Sequence, residues 1–77
     1  MKIKNYRPKS ELEAVGWLME ESVEVIQAIA RSFRFGMETV HEGRSNRQIL
    51  LDEIGDLKRS IIEAEVWLDI GEDHDHG

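Results

Sequence analysis

Two runs of apolar residues at three- and four-residue steps, parted by one glycine-bounded break, constrain this chain more than any other feature. In the first run Leu12, Val15, Met19, Val23, Ile26, Ala30 and Phe33 recur at helical spacing, and Leu18, Val25 and Ile29 widen the stripe. In the second, Leu50, Ile54, Leu57, Ile61, Ala64 and Leu68 do the same, flanked by Leu51 and Ile62. Each run opens on a capping box, Ser10-Glu11-Leu12-Glu13 and Ser45-Asn46-Arg47-Gln48. In such a box the serine hydroxyl accepts from the N–H three residues on, and the third residue's side chain reaches back. Glu11 and Glu13 also suit the positive end of a helix dipole. Gly36 suits the residue after a helix end. The spacing predicts a helix over 11–35, roughly 37 Å long at about 1.5 Å per residue. It predicts a second helix from 46 that fades by Ile70-Gly71. Gly36 and Gly43 bound the connection, which has room for one helical turn at Met37 to His41.

The expected fold is therefore all-α: two long antiparallel helices forming the domain 10–70. A basic arm, 1–9, precedes it as an extended or mobile segment, since Pro8 discourages helix there. The acidic and histidine-bearing tail, 71–77, is expected to be disordered. With 77 residues and no cysteine, one such hairpin buries little apolar surface by itself. A helix apolar over so much of its girth usually contacts more than one neighbour. Oligomerisation into a four-helix bundle or larger assembly follows as an expectation.

Charge narrows the partners. Lys2, Lys4, Arg7 and Lys9 put four of the ten basic residues in the first nine positions, leaving sixteen acidic residues against six basic in the remainder. An acidic body is a poor match for nucleic acid, where affinity comes mostly from Lys and Arg on phosphates. No run approaches the roughly 18 apolar residues of a membrane span, and the first residues lack a signal peptide's apolar core. The expectation is a cytoplasmic protein with neither nucleic-acid nor membrane partners.

Acidic residues recur in a second pattern. Glu21 and Glu24 stand three apart in the first helix, with Glu20 beside them; Glu53 and Asp56 stand three apart in the second. Residues i and i+3 are neighbours on a helix, so each pair presents two carboxylates together. On a helical wheel Trp17, Glu20, Glu21, Glu24 and Arg31 gather away from the first apolar stripe. Glu53, Asp56, Ser60 and Glu63 lie along one border of the second, with Ile49 and Trp67 near its ends. If the helices fold back on each other, Glu24 and Glu53 differ in level by roughly 6 Å, about one turn. Together the pairs would form a set of hard oxygen ligands, which suits Mg²⁺. The bland alternative is a solvated acidic face on a non-catalytic, partner-binding helical module. Trp17 is then an interface aromatic rather than a ring stacked on a base. Gly55, inside the second helix at a cost of about 1 kcal/mol, fits close approach of a helix or a phosphate. Glu38-Thr39-Val40-His41 matches the Glu-x-x-His of di-iron bundles, but those need two copies. His74 and His76 offer at most a loose metal site.

Glu21-Ser22-Val23-Glu24 and Glu53-Ile54-Gly55-Asp56, with Leu18-Met19-Glu20 before the first and Val25-Ile26-Gln27-Ala28 after it, resemble the E-x-x-E…E-x-x-D signature of MazG-like all-α nucleoside triphosphate pyrophosphohydrolases. Arg34-Phe35-Gly36 and Asp52-Glu53-Ile54-Gly55-Asp56-Leu57 extend the resemblance, which covers roughly residues 12–68. It implies Mg²⁺-dependent hydrolysis of a nucleoside triphosphate, such as a surplus or noncanonical dNTP, to the monophosphate and pyrophosphate in a homodimer or homotetramer. By position it implies Glu21, Glu24, Glu53 and Asp56 as metal ligands and Glu20 as the group that orients or deprotonates the attacking water. Trp17 would hold the base. Arg31, Arg34 and Lys58, with Arg44 and Arg47 as further candidates, would balance the polyphosphate. Many relatives continue into another helix where this chain stops soon after Ile70. A minimal member, a fragment, or a pocket completed by a neighbouring subunit all fit.

Overall fold

The computed structural model describes residues 7–76, with side chains described through Ile70. Helix α1 spans Glu11–Phe35 and helix α2 spans Asn46–His76, joined through a minimal antiparallel ribbon of β1, Val40–His41, and β2, Arg44–Ser45. The all-α expectation holds, with two long helices packed on each other.

Both serine caps form. Ser10 Oγ accepts the Glu13 N–H at 3.1 Å and Ser45 Oγ accepts the Gln48 N–H at 3.1 Å. The reciprocal halves of the boxes differ from expectation. The Glu13 carboxylate accepts from the Lys9 N–H at 2.9 Å, one residue earlier than Ser10. The Gln48 amide NH2 instead donates to Asp52 Oδ1 at 3.1 Å, a charged acceptor one turn along the helix. At its other end α1 stops at Gly36, whose φ of 98° suits glycine and whose N–H donates to Ser32 O at 2.9 Å.

The ribbon takes the place of the helical turn expected at Met37 to His41. Val40 lies opposite Ser45 and His41 opposite Arg44. Glu42 and Gly43 between them have φ of 53° and 84°. Positive φ at both central residues is the primed two-residue turn that matches the twist of a hairpin. The Thr39 hydroxyl caps the Phe35 carbonyl, and the Asn46 and Arg47 N–H groups donate to Thr39 O and Met37 O at 2.9 and 2.8 Å. Asn46, 2% exposed, adds a bond from Nδ2 to Gly36 O at 2.9 Å. These bonds tie the end of α1 to the start of α2 and set the register between the helices.

Helix α2 also runs to His76, past the end expected at Ile70-Gly71. Extending an established helix through one glycine costs only about 1 kcal/mol, far less than nucleating a new one. At the other terminus Pro8 is buried and Arg7 pairs with Glu63 at 3.1 Å. The foot of the basic arm is therefore docked on α2, and residues 1–6 lie outside those described. Arg7 meets Glu63, while Glu21 and Glu24 meet Glu53. Moving back along α1 thus moves forward along α2, so the helices are antiparallel.

The packed faces are not the most apolar ones. Buried on α1 are Ala14, Glu21, Val25, Ala28 and Ser32; on α2, Asn46, Ile49, Ser60 and Ala64. The stripe that dominates α1 in sequence points outward: Leu12 is 82% exposed, Met19 63%, Ile26 63% and Phe33 89%. Periodicity identifies residues that share a face but not the neighbour that face meets. Small residues at the seam (Ala14, Ala28, Ser60 and Ala64) let the two backbones approach closely. No helix among the described residues is long and apolar enough to cross a membrane.

Candidate metal centre

The seam between α1 and α2 carries the acids. Glu21 and Glu24 are one turn apart on the side of α1 turned to α2, and Glu53 stands on the α2 border that became the packed face. Each of the three offers a carboxylate oxygen, and all three oxygens lie within 4.8 Å of one another. Glu21 is only 4% exposed, and Glu24 and Glu53 are half-buried. The hinge bonds described above bring this about: a slip of one residue in α2 would rotate Glu53 by roughly 100° away from the seam.

This donor set fits a small divalent cation. Three carboxylates held this close, one of them almost out of water, concentrate acceptor oxygens at one point of the seam. A divalent cation is the kind of ligand such a concentration of oxygens could hold. Carboxylate oxygens at about 2.0–2.1 Å from an octahedral Mg²⁺ stand roughly 3–4 Å apart, which small side-chain rotations reach from the observed spacing. The group is all carboxylate: among the described residues no His or Cys belongs to it, and oxygen ligands suit hard cations better than zinc or copper.

The other residues expected at a site are placed as follows. Asp56 is outside the group of three, and its Oδ1 accepts from Arg59 at 2.6 Å. Arg59 stands three residues after Asp56, the helical spacing at which an acid and a basic residue pair. Glu20 is exposed on α1, beside the group rather than in it, and Trp17 is half-buried one turn before it. Arg31 is half-buried, Lys58 is exposed, and the Arg34 guanidinium lies 5.4 Å from the Phe35 ring centroid. Arg44 and Arg47 are engaged at the hinge, Arg44 with Asp52 and Arg47 with Glu38 at 2.7 Å. Glu38 and His41 of the Glu-x-x-His segment belong to the ribbon region, and neither joins the acidic group.

No family model matches the chain, and no curated protein or solved structure matches it either.

Proposed function

We propose that the chain is a Mg²⁺-dependent nucleoside triphosphate pyrophosphohydrolase of the MazG-like type, acting on surplus or noncanonical nucleotides, dNTPs foremost, as a homodimer or homotetramer. One observation carries the reading: the convergence of Glu21, Glu24 and Glu53 within 4.8 Å in the seam between two helices. These are three of the four acids that the resemblance implies as ligands. A bound Mg²⁺ would neutralise phosphate oxygens and make water a better nucleophile.

The chain's own residues supply the rest. Glu21, Glu24 and Glu53 would hold the ion, and Asp56, paired with Arg59, is the fourth acid that the resemblance implies as a ligand. Glu20, at the exposed edge of the group, orients the attacking water and takes its proton. The water oxygen bonds to the α-phosphorus as the bond from that phosphorus to the bridging oxygen breaks, and pyrophosphate leaves. Trp17 offers a ring on which a base stacks, while Arg31, Arg34 and Lys58 balance phosphate charge. A non-catalytic helical module would account for the outward apolar face equally well. The convergence of Glu21, Glu24 and Glu53 is what favours the metal-site reading over it.

The test is product analysis. Purified protein is incubated with canonical and modified NTPs and dNTPs and Mg²⁺, and the products are resolved by ion exchange. Monophosphate and pyrophosphate, abolished by EDTA, are expected. No turnover of any nucleotide would overturn the proposal.

A further inference from the structure

We infer that the outward face of α1 is a self-association seam, on which a second copy of this chain lies antiparallel, α1 on α1, about a two-fold axis near Ser22 and Val23. The inference names the surface for the oligomer proposed above and stands independently of hydrolysis.

Four observations support it. Leu12, Met19, Ile26 and Phe33 recur at intervals of seven, the period of a helix–helix seam, and lie roughly 140° around α1 from the face that meets α2. All four are more than half exposed in the single chain. Helix α1 is therefore apolar on two sides, and only one of them is covered by its own chain.

The chain exposes 6013 Å², whereas a compact monomer of its mass exposes about 4,800 Å². The chain measures 52 × 22 × 13 Å, a slab about one helix thick. A second slab laid on it makes a two-layer bundle.

Charge and spacing select a second copy and its direction. The first turn of α1 carries Glu11 and Glu13 and the last carries Arg34. An antiparallel pair lays the acidic end over the basic end and opposes the helix dipoles, while a parallel pair stacks like on like. In the antiparallel register Leu12 meets Phe33 and Met19 meets Ile26, so the two most exposed residues of the seam cover each other. The axis then falls at Ser22 and Val23, where small side chains allow close approach. The Ser22 hydroxyl already donates to Leu18 O at 2.7 Å and can be covered without loss.

A pocket of about 310 Å³ lined by Ile29, Ser32, Phe33, Met37 and Leu50 opens at the C-terminal end of the seam. It lies where Leu12 of the partner subunit arrives.

Sedimentation equilibrium over a micromolar-to-submillimolar range, with cross-linking of single-cysteine variants, tests the inference. The chain has no cysteine of its own, so each introduced thiol reports alone. Wild type should sediment as a dimer, or as a dimer of dimers. Ile26→Glu should lower that mass, weakening association on the order of 100-fold, with helicity by circular dichroism unchanged. Val23→Cys should oxidise to a linked dimer, because the two copies of residue 23 face each other. Leu12→Cys should not, because its copies lie roughly 30 Å apart, far beyond the about 7 Å a disulfide spans. A monomeric wild type would overturn the inference, as would a mass unaffected by Ile26→Glu. Self-linking of Leu12→Cys would refute the antiparallel arrangement. None of these readouts depends on nucleotide turnover.

Discussion

The two faces of α1 are built from different materials. The inner face buries Ala14, Glu21, Val25, Ala28 and Ser32, a set with a single branched aliphatic; the outer face displays Leu12, Met19, Ile26 and Phe33. Burying Val25 and, on α2, Ile49 contributes about 1.5–3 kcal/mol each, modest against the conformational entropy of ordering two long helices. The face that makes the intrachain contact is thus the weaker source of stability and the one that holds carboxylates together. The hairpin brings the acids together; if a second copy covers the outer face as inferred, that burial would steady the hairpin and couple folding to association.

The largest effect that would break this division is on chemistry. Glu53→Gln removes an inner-face charge and should lower pyrophosphohydrolysis on the order of 100-fold or more, read by monophosphate release, while helicity and sedimenting mass persist. Unchanged turnover would remove Glu53 from the site.

Next comes a pair of substitutions two residues apart on opposite faces. Ala28→Leu overpacks the close approach of the helices and should cost about 1–3 kcal/mol in denaturant unfolding. Ala30→Leu, on the exposed side, should cost nothing and favour the assembled form. Equal destabilisation by both would mean that the faces are not distinct.

The hinge that sets the inner register offers a smaller lever. Gly43→Ala places a side chain at φ 84° and should cost about 1 kcal/mol or slightly more. Loss of the cap in Ser45→Ala should cost about 1 kcal/mol. Either variant should also weaken Mg²⁺ binding if the ribbon holds Glu53 in register.

The smallest effect separates two inner-face serines. Ser32 Oγ is buried with no hydrogen-bond partner, whereas Ser60 Oγ donates to Leu57 O at 2.8 Å. Ser32→Ala should therefore stabilise the protein by up to about 1 kcal/mol, and Ser60→Ala should be neutral or slightly destabilising. A loss of stability in Ser32→Ala would indicate that its hydroxyl has a partner in solution.

Much of this architecture is legible in the sequence. Capping serines and helical periodicity locate both helices, and counting residues from Gly36 and Ser45 puts Glu24 and Glu53 within a turn of each other. Three features are not legible. Glu42-Gly43 carries turn chemistry, but the ribbon depends on the long-range bonds of Asn46 and Arg47 to Thr39 and Met37. The end of α2 depends on helix propagation rather than on the residue at which it would otherwise stop. The choice of packed face is the most instructive. The apolar stripe marks a surface needing cover without saying whether its own chain or another supplies it, and small residues such as Ala14 and Ala64 carry little hydrophobic signal though they are the most deeply buried apolar side chains described.

The central claim is that the inner face gathers carboxylates in order to hold a divalent cation. Isothermal titration of Mg²⁺ into EDTA-stripped protein tests it most directly, with Glu21→Gln and Glu53→Gln beside the wild type. The account predicts saturable binding of an ion at the seam of each chain, lost or weakened at least tenfold in both variants. Absence of binding heat in the wild type, with no rise in melting temperature on adding Mg²⁺, would contradict it. So would equal affinity in all three proteins.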